Sequence, residues 1–220
     1  MKFAALLALA GAAGAAVASP VCNAEAPNVE LVKRQSINYV QNYNGGQANF
    51  KYNQRAGTYS ARWNNPQDFV VGLGWSTGTS NRVINFKGNY KANQGSYHAV
   101  YGWLNNPLTE YYVVENYSYD PCSASNTQTV SSVYSDGANY KICKHTQYNQ
   151  PSIQGTKTFG QYFSVRSSKR SSGSVTLANH FNAWKKHGFA NGATNPHFNY
   201  QVFATEAFSG SGSVSNTISG

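Results

Sequence analysis

With 220 residues, 17 Lys and Arg against 8 Asp and Glu, 16 Tyr, 20 Gly and a charged fraction of 11%, the chain can build one sizeable core but not several. So few charges beside so many aromatics exclude intrinsic disorder, because burying the rings offsets the entropy of ordering the backbone. The formal net charge of +9 directs attention to nucleic acid or an anionic membrane. Yet the densest basic groups are only Lys33-Arg34, Lys169-Arg170 and Lys185-Lys186, with no recognition-helix, zinc or RNP-like motif, so no nucleic-acid partner is expected.

At the N-terminus, Lys2 precedes an apolar run, and Ala16-Val17-Ala18 supplies the small-x-small pattern of signal cleavage, which predicts a signal peptide over residues 1–18 and secretion. The run is broken by small residues and falls short of the ~20 apolar residues of a stable span, so no membrane anchor is expected. Residues 19–34 are polar, contain Pro20 and end in Lys33-Arg34, which predicts a propeptide and a single domain over 35–220 beginning at Gln35. Removing Cys22 with that segment leaves Cys122 and Cys143, an even pair in an oxidising compartment, which is read as a disulfide. Closing a loop of about twenty residues contributes ~3 kcal/mol in the chain-entropy model. Asn116-Tyr117-Ser118 is the one sequon with a non-Pro middle residue and makes Asn116 a candidate glycosylation site.

From residue 36 onward, short β-branched and aromatic runs alternate with Gly, Asn, Pro and Ser. Strands are predicted over 58–63, 69–75, 82–86, 97–103, 109–116, 157–166 and 198–208, with turn signals recurring between them at close spacing. That pattern means an all-β antiparallel sandwich or jelly roll. One segment departs from it: Leu177, Phe181, Trp184 and Gly188 recur at helical spacing, predicting a single helix stopped by Gly188. SGSGS at 209–213 reads as a turn between terminal strands.

Six acids remain after trimming: Asp68, Glu110, Glu115, Asp120, Asp136 and Glu206. Asp120 precedes Pro121 and Asp136 precedes Gly137, both turn positions where a carboxylate caps its own backbone. Glu110 and Glu115 share a strand but stand five positions apart, so they point to opposite faces. Glu110 shares a face with Tyr112, and Glu206 with Tyr200, Ala204 and Phe208; a lone carboxylate in such company is costly unless it has chemistry to do. Two strand-borne glutamates among tyrosines suit glycoside hydrolysis, with one nucleophile and one proton donor, and tyrosines stack on sugar rings. On residue types alone a non-catalytic sugar-binding sandwich stays equally open.

At these residues the chain also resembles a family. NPLTEYYVVEN around Glu110, YQVFATEAFSGSGS around Glu206, NQPSIQGTKTFGQYFSVR and SSGSVTLANHFNAWKKHG are together similar to the family 11 endo-1,4-β-xylanases, in particular their secreted, acid-type fungal branch. The resemblance runs from about Ile37 to the C-terminus and implies a β-jelly-roll sandwich of two curved antiparallel sheets with a single α-helix. It further implies Glu110 as nucleophile and Glu206 as general acid/base of a retaining double displacement, with Pro151-Ser152-Ile153 at the tip of a loop over the cleft. By the same resemblance Tyr101, Tyr112, Gln161 and Tyr200 line the cleft, Tyr43 forms an outer aromatic platform, and Asp68 contacts and tunes the acid/base. Cys122 and Cys143 match a disulfide of the acid-type branch.

Three positions depart from the family pattern: Gln147 where Arg is common, Phe208 where Trp or Tyr follows the second glutamate, and Phe163 in place of a frequent Trp. Elsewhere, the histidines at 98, 145, 180, 187 and 197 show no ligand spacing, so no metal and no cofactor is expected; His180 and His187 are read as helix residues. No nucleophile elbow or phosphate loop is present. The expectation is a secreted monomeric enzyme acting on xylan. Its rivals are an endoglucanase on a similar sandwich and a non-catalytic wall-binding protein or elicitor.

Overall fold

The structure, a computed structural model, describes residues 36–220. The expected signal peptide, propeptide and Cys22 lie outside the described residues. Thirteen strands and one α-helix follow in order among the described residues: β1 Tyr39–Tyr43, β2 Lys51–Asn53, β3 Thr58–Asn64, β4 Phe69–Trp75, β5 Val83–Ala92, β6 Ser96–Asn106, β7 Leu108–Tyr117, β8 Gln128–Ser135, β9 Ala138–Ser152, β10 Gly155–Arg166, β11 Ser172–Thr176, α1 Leu177–Lys185, β12 His197–Ala207 and β13 Ser211–Ser219. An eight-stranded sheet runs β1-β4-β12-β6-β7-β10-β9-β8, and a five-stranded sheet β11-β5-β13-β3-β2.

All seven expected strands are present, and the architecture is the expected jelly roll. One correction concerns strand direction: β7 and β10 pair in parallel, with Glu110 opposite Gln161 and Tyr112 opposite Phe163. Between them in sequence lie β8 and β9, which pair on the far side of β10, so β10 arrives beside β7 by a crossover, as a parallel neighbour must. The further strands β1, β2, β8, β9, β11 and β13 carry weaker apolar patterns: β2, β8 and the outer half of β9 are mostly exposed, while β1, β11 and β13 are built largely from small or polar residues. The SGSGS turn is likewise shorter than expected: Gly210 turns at φ 67° and β13 already starts at Ser211.

The eight-stranded sheet has a packed face on each side. Along β7, Tyr111 and Val113 enter the core between the sheets, while Tyr112 and Val114 join a second cluster on the opposite face. Period-two alternation therefore separates scaffold from site. Helix α1 closes one end of the core with Leu177, His180, Phe181 and Trp184 buried, and Gly188, at φ 85°, follows it in the left-handed conformation. His180 packs its ring 4.7 Å from Tyr140, and burial lowers its pKa to about 3, so it stays neutral. His187 falls beyond the helix, where its carbonyl accepts from Lys144 Nζ at 2.7 Å.

The remaining acids are structural. Glu115, fully buried on the core face of β7, accepts from Arg170 Nε and, at 2.6 Å, from the Tyr140 hydroxyl. Arg166 donates to that same hydroxyl at 2.7 Å and to the Asp136 carbonyl at 3.1 Å. The Asp136 carboxylate reaches beyond its own turn to the Thr176 amide at 2.9 Å and hydroxyl at 2.7 Å, holding the N-cap of α1. Asp120 caps its turn through the Cys122 amide at 2.9 Å and pairs with Lys141. Cys122 and Cys143 are disulfide-bonded, tying the segment after β7 to β9.

Burial sets the strength of the two ion pairs. Arg170→Ala takes the guanidinium from Glu115 and leaves it the Tyr140 hydroxyl, so urea unfolding should show a loss of about 3–5 kcal/mol. Lys141→Ala, which opens a pair whose lysine side chain is 46% exposed, should change stability by less than ~1 kcal/mol in the same measurement.

Candidate active site

Glu110 lies on β7 and Glu206 on β12, and both line a cleft of about 550 Å³ on the outer face of the eight-stranded sheet. Each expected cleft residue lines it too: Tyr43, Asp68, Tyr101, Tyr112, Gln161 and Tyr200, with Pro151, Ser152 and Ile153 from the β9–β10 hairpin. Tyr43, the outermost, is 41% exposed. A second hollow of about 320 Å³ adjoins the first, sharing Asp68, Tyr112, Gln147, Gln161 and Glu206 and adding Tyr97, Tyr119, His145, Phe163 and Phe208. The two glutamates therefore stand where two recesses meet, with room for an extended ligand on either side.

Glu110 is 5% exposed and held by three donors. The Tyr101 hydroxyl reaches Oε1 at 2.8 Å, the Tyr112 hydroxyl reaches the same oxygen at 3.0 Å, and Gln161 Nε2 reaches Oε2. Gln147 donates to the Gln161 carbonyl oxygen at 3.3 Å, which turns the Gln161 amine toward Glu110. The position that lacks the usual arginine thus orients a neutral donor. Desolvation raises the Glu110 carboxyl to about 7, against the pull of Gln161, Tyr101 and Tyr112.

Glu206 is placed differently. Its Oε2 is buried without a hydrogen-bond partner among the described residues. Desolvation, then the charges of Asp68 and Glu110, push its carboxyl well above the usual range, and only the Tyr112 hydroxyl opposes this. Asp68 stands two residues before Val70, which pairs with Glu206 across β4 and β12, so the two carboxyls share a face. Its Oδ1 is also buried and unpartnered, and desolvation raises its carboxyl to about 6. At neutral pH and below, Glu206 retains its proton in preference to Glu110, because Glu110 has donors that stabilise its charge and Glu206 has almost none.

Aromatic packing fixes these groups. Tyr112 stacks on Phe163 at 4.9 Å and leans on Tyr101 at 4.8 Å, and Tyr200 stacks on Tyr39 at 4.8 Å. Phe208 packs edge-on against Tyr97 and Tyr119, filling its place without a polar tip. Sequence reasoning missed Trp103, which lines the cleft and donates from Nε1 to the Tyr101 hydroxyl at 2.6 Å. Strand parity could have found it, since it stands two positions beyond Tyr101 on β6. Tyr39, Val70 and Phe159 were missed as well; Tyr39 lies on a strand too polar to be recognised, and the other two are ordinary apolar strand residues. The Asn116 amide nitrogen, at the end of β7, donates to Ser171 Oγ at 3.2 Å.

A jelly roll with a buried, differently solvated glutamate pair in an aromatic cleft is the architecture of a carbohydrate-cleaving enzyme. The comparisons with known proteins agree: residues 35–217 match the profile of Glycosyl hydrolases family 11, and the chain belongs to that family. It is 74% identical over the full length of both chains to Endo-1,4-beta-xylanase 11A of Mycosarcoma maydis. It is 56% identical to Endo-1,4-beta-xylanase B of Talaromyces purpureogenus, over 88% of this chain and 92% of that one. Among solved structures, it superposes on an endo-1,4-β-xylanase of Trichoderma reesei with a TM-score of 0.74 at 46% identity, covering 84% of this chain and all of the other.

The donor set predicts a spectroscopic outcome that is independent of turnover. Gln161→Ala or Tyr101→Phe removes one stabilising donor from the Glu110 carboxylate, so its pKa should rise. Carbon NMR titration of labelled glutamate side chains should show the Glu110 midpoint moving up by about one pH unit per donor, equal to ~1.4 kcal/mol.

Proposed function

We propose that the protein is a secreted endo-1,4-β-xylanase that cleaves internal β-1,4-xylosidic bonds of xylan with retention of anomeric configuration, without a cofactor and as a monomer. The observation that carries the mechanism is the unequal solvation of the two glutamates: three donors on Glu110, and a buried, unpartnered Oε2 on Glu206. The xylanase names of its close relatives support the substrate.

In the first step a Glu110 oxygen attacks the anomeric carbon as the glycosidic C–O bond breaks, and the Glu206 proton passes to the departing oxygen. A covalent glycosyl ester forms on Glu110. Its charge is then gone, so one of the two negative charges that raised Glu206 disappears and Glu206 becomes the base that takes a proton from water. The water oxygen attacks the anomeric carbon, Glu110 leaves, and the configuration is restored. Asp68 sets the pH range: when ionised, its charge binds the Glu206 proton more tightly and makes Glu206 a weaker donor, so activity should rise as Asp68 is protonated on the acid side of about 6.

Reducing-sugar release from xylan tests the assignment. Glu206→Gln should lower kcat/KM by about 10²–10⁴-fold, with a smaller loss on aryl xylosides whose leaving group needs little protonation. Glu110→Gln should abolish turnover of both, and NMR of the first product should show the β anomer. Asp68→Asn should move the pH profile upward; an unchanged profile would refute the role given to Asp68. Comparable release from a cellulose derivative would favour an endoglucanase, and no release by the wild type would favour a wall-binding protein. Recovery from the culture medium with Gln35 as the first residue would verify secretion and processing.

A further inference from the structure

The outer face of the five-stranded sheet carries a one-sided charge. Four exposed cations point outward from it, Lys51 on β2, Arg62 on β3, and Lys87 and Lys91 on β5, and none of its five strands contains an Asp or Glu. All six acids of the described residues are placed elsewhere: three in the cleft, Glu115 in the core, Asp120 on Lys141 and Asp136 on Thr176. Nothing on this face neutralises the cations.

Register shows how they are arranged. Lys91 and Arg62 flank Ser213 of β13 in one row, Lys87 stands opposite Thr217 in a second, and Lys51 ends the row through Ser60, Ser215 and Asn89. The central strand β13 therefore presents hydroxyls between Lys87 and Lys91 on one side and Arg62, with Lys51 beyond it, on the other. Strand geometry puts β3 and β5 roughly 10 Å apart and Lys87 about 14 Å from Lys91. The aromatic rings Tyr59, Trp63, Phe86 and Tyr90 all point into the core, so the face offers no ring for base stacking. Val83 is its one large exposed apolar side chain among the described residues; Tyr52, exposed on the edge strand β2, stands opposite core-facing Tyr59 and so turns the other way, which leaves no apolar patch to insert into a membrane.

We propose that this face is a docking surface for acidic polysaccharide, with uronate carboxylates on Arg62, Lys87, Lys91 and Lys51 and sugar hydroxyls on the Ser and Thr row of β13. It lies on the opposite side of the sandwich from the cleft, so a chain held there leaves the catalytic groups free for another. The choice of a wall polymer rests on the xylanase reading; the charge complementarity does not.

The test reads retention and needs no hydrolysis, so it can fail without touching the catalytic assignment. Wild-type protein is run through gels containing polygalacturonate or its fully methyl-esterified form. A triple variant, Arg62→Ser with Lys87→Thr and Lys91→Ser, is compared with Lys169→Gln, Lys185→Gln and Lys186→Gln, which removes equal charge from other surfaces. Expected are retention by the acid polymer only, release at raised salt as the Debye length shrinks, and an affinity loss on the order of 100-fold in the face variant, ~5-fold per cation. The control variant should keep its affinity within about threefold, and both variants should hydrolyse soluble neutral xylan as the wild type does. Equal losses in the two variants, salt-independent retention, binding to the esterified polymer, or tighter binding to DNA or anionic vesicles would each overturn the proposal.

Discussion

A carboxylate taken out of water needs either donors and a counter-charge or a proton, and this chain meets that constraint in three different ways within two strands. Glu115 and Glu110 share β7 and are both nearly inaccessible. Glu115 faces the core and has a guanidinium from Arg170, which fixes its charge and makes it part of the scaffold. Glu110 faces the cleft and has only neutral donors, so its charge is stabilised enough to exist but not so fully as to be inert. Glu206 has neither a cation nor a set of donors, and the stable form of such a group is the protonated one. Three glutamates of one intrinsic acidity thus become a structural anion, a nucleophilic anion and an acid.

The same constraint accounts for the surface. With three of the six acids of the described residues held in the cleft and one in the core, Asp120 and Asp136 are left there for the exterior, and both are engaged by neighbours. The basic residues consequently meet few surface carboxylates. The positive charge of the molecule follows from where its acids are needed, and it becomes directional on the five-stranded sheet because the outward positions of those strands, Val83 apart, are otherwise Ser, Thr and Asn.

How much of this was legible in the sequence depended on burial. Strands β4, β6, β7 and β12 announce themselves because both their faces are packed, so most of their residues are apolar or aromatic and their few polar side chains stand out. β8 is largely exposed, and β13 alternates Ser with Val, Asn and Ile too weakly to separate from a turn; hydrogen bonding to neighbours, not side-chain pattern, makes them strands. The glutamates were found by elimination and by resemblance, and parity put Glu110 and Glu115 on opposite faces. What single positions could not reveal was partnership. That Gln147 acts through Gln161, or that Asp136 reaches Thr176, depends on neighbours 14 and 40 positions away.

Parallel pairing of β7 with β10 is the feature that local pattern could least anticipate, and the site depends on it. A parallel ladder keeps two strands in step, so residues two apart on one strand meet residues two apart on the other. Glu110 therefore has Gln161 beside it while Tyr112 has Phe163 beside it, and the stack of Phe163 on Tyr112 holds the hydroxyl that binds Glu110. A one-residue slip would turn Gln161 and Phe163 toward the core together and take the Gln161 amide away from Glu110. Because β10 also carries Tyr162 and Val165 against buried packing, such a slip would expose one set of apolar side chains while burying a polar amide. The register that serves the chemistry is thus enforced by hydrophobic burial on both faces of the strand, which holds the neutral amide of Gln161 against Glu110.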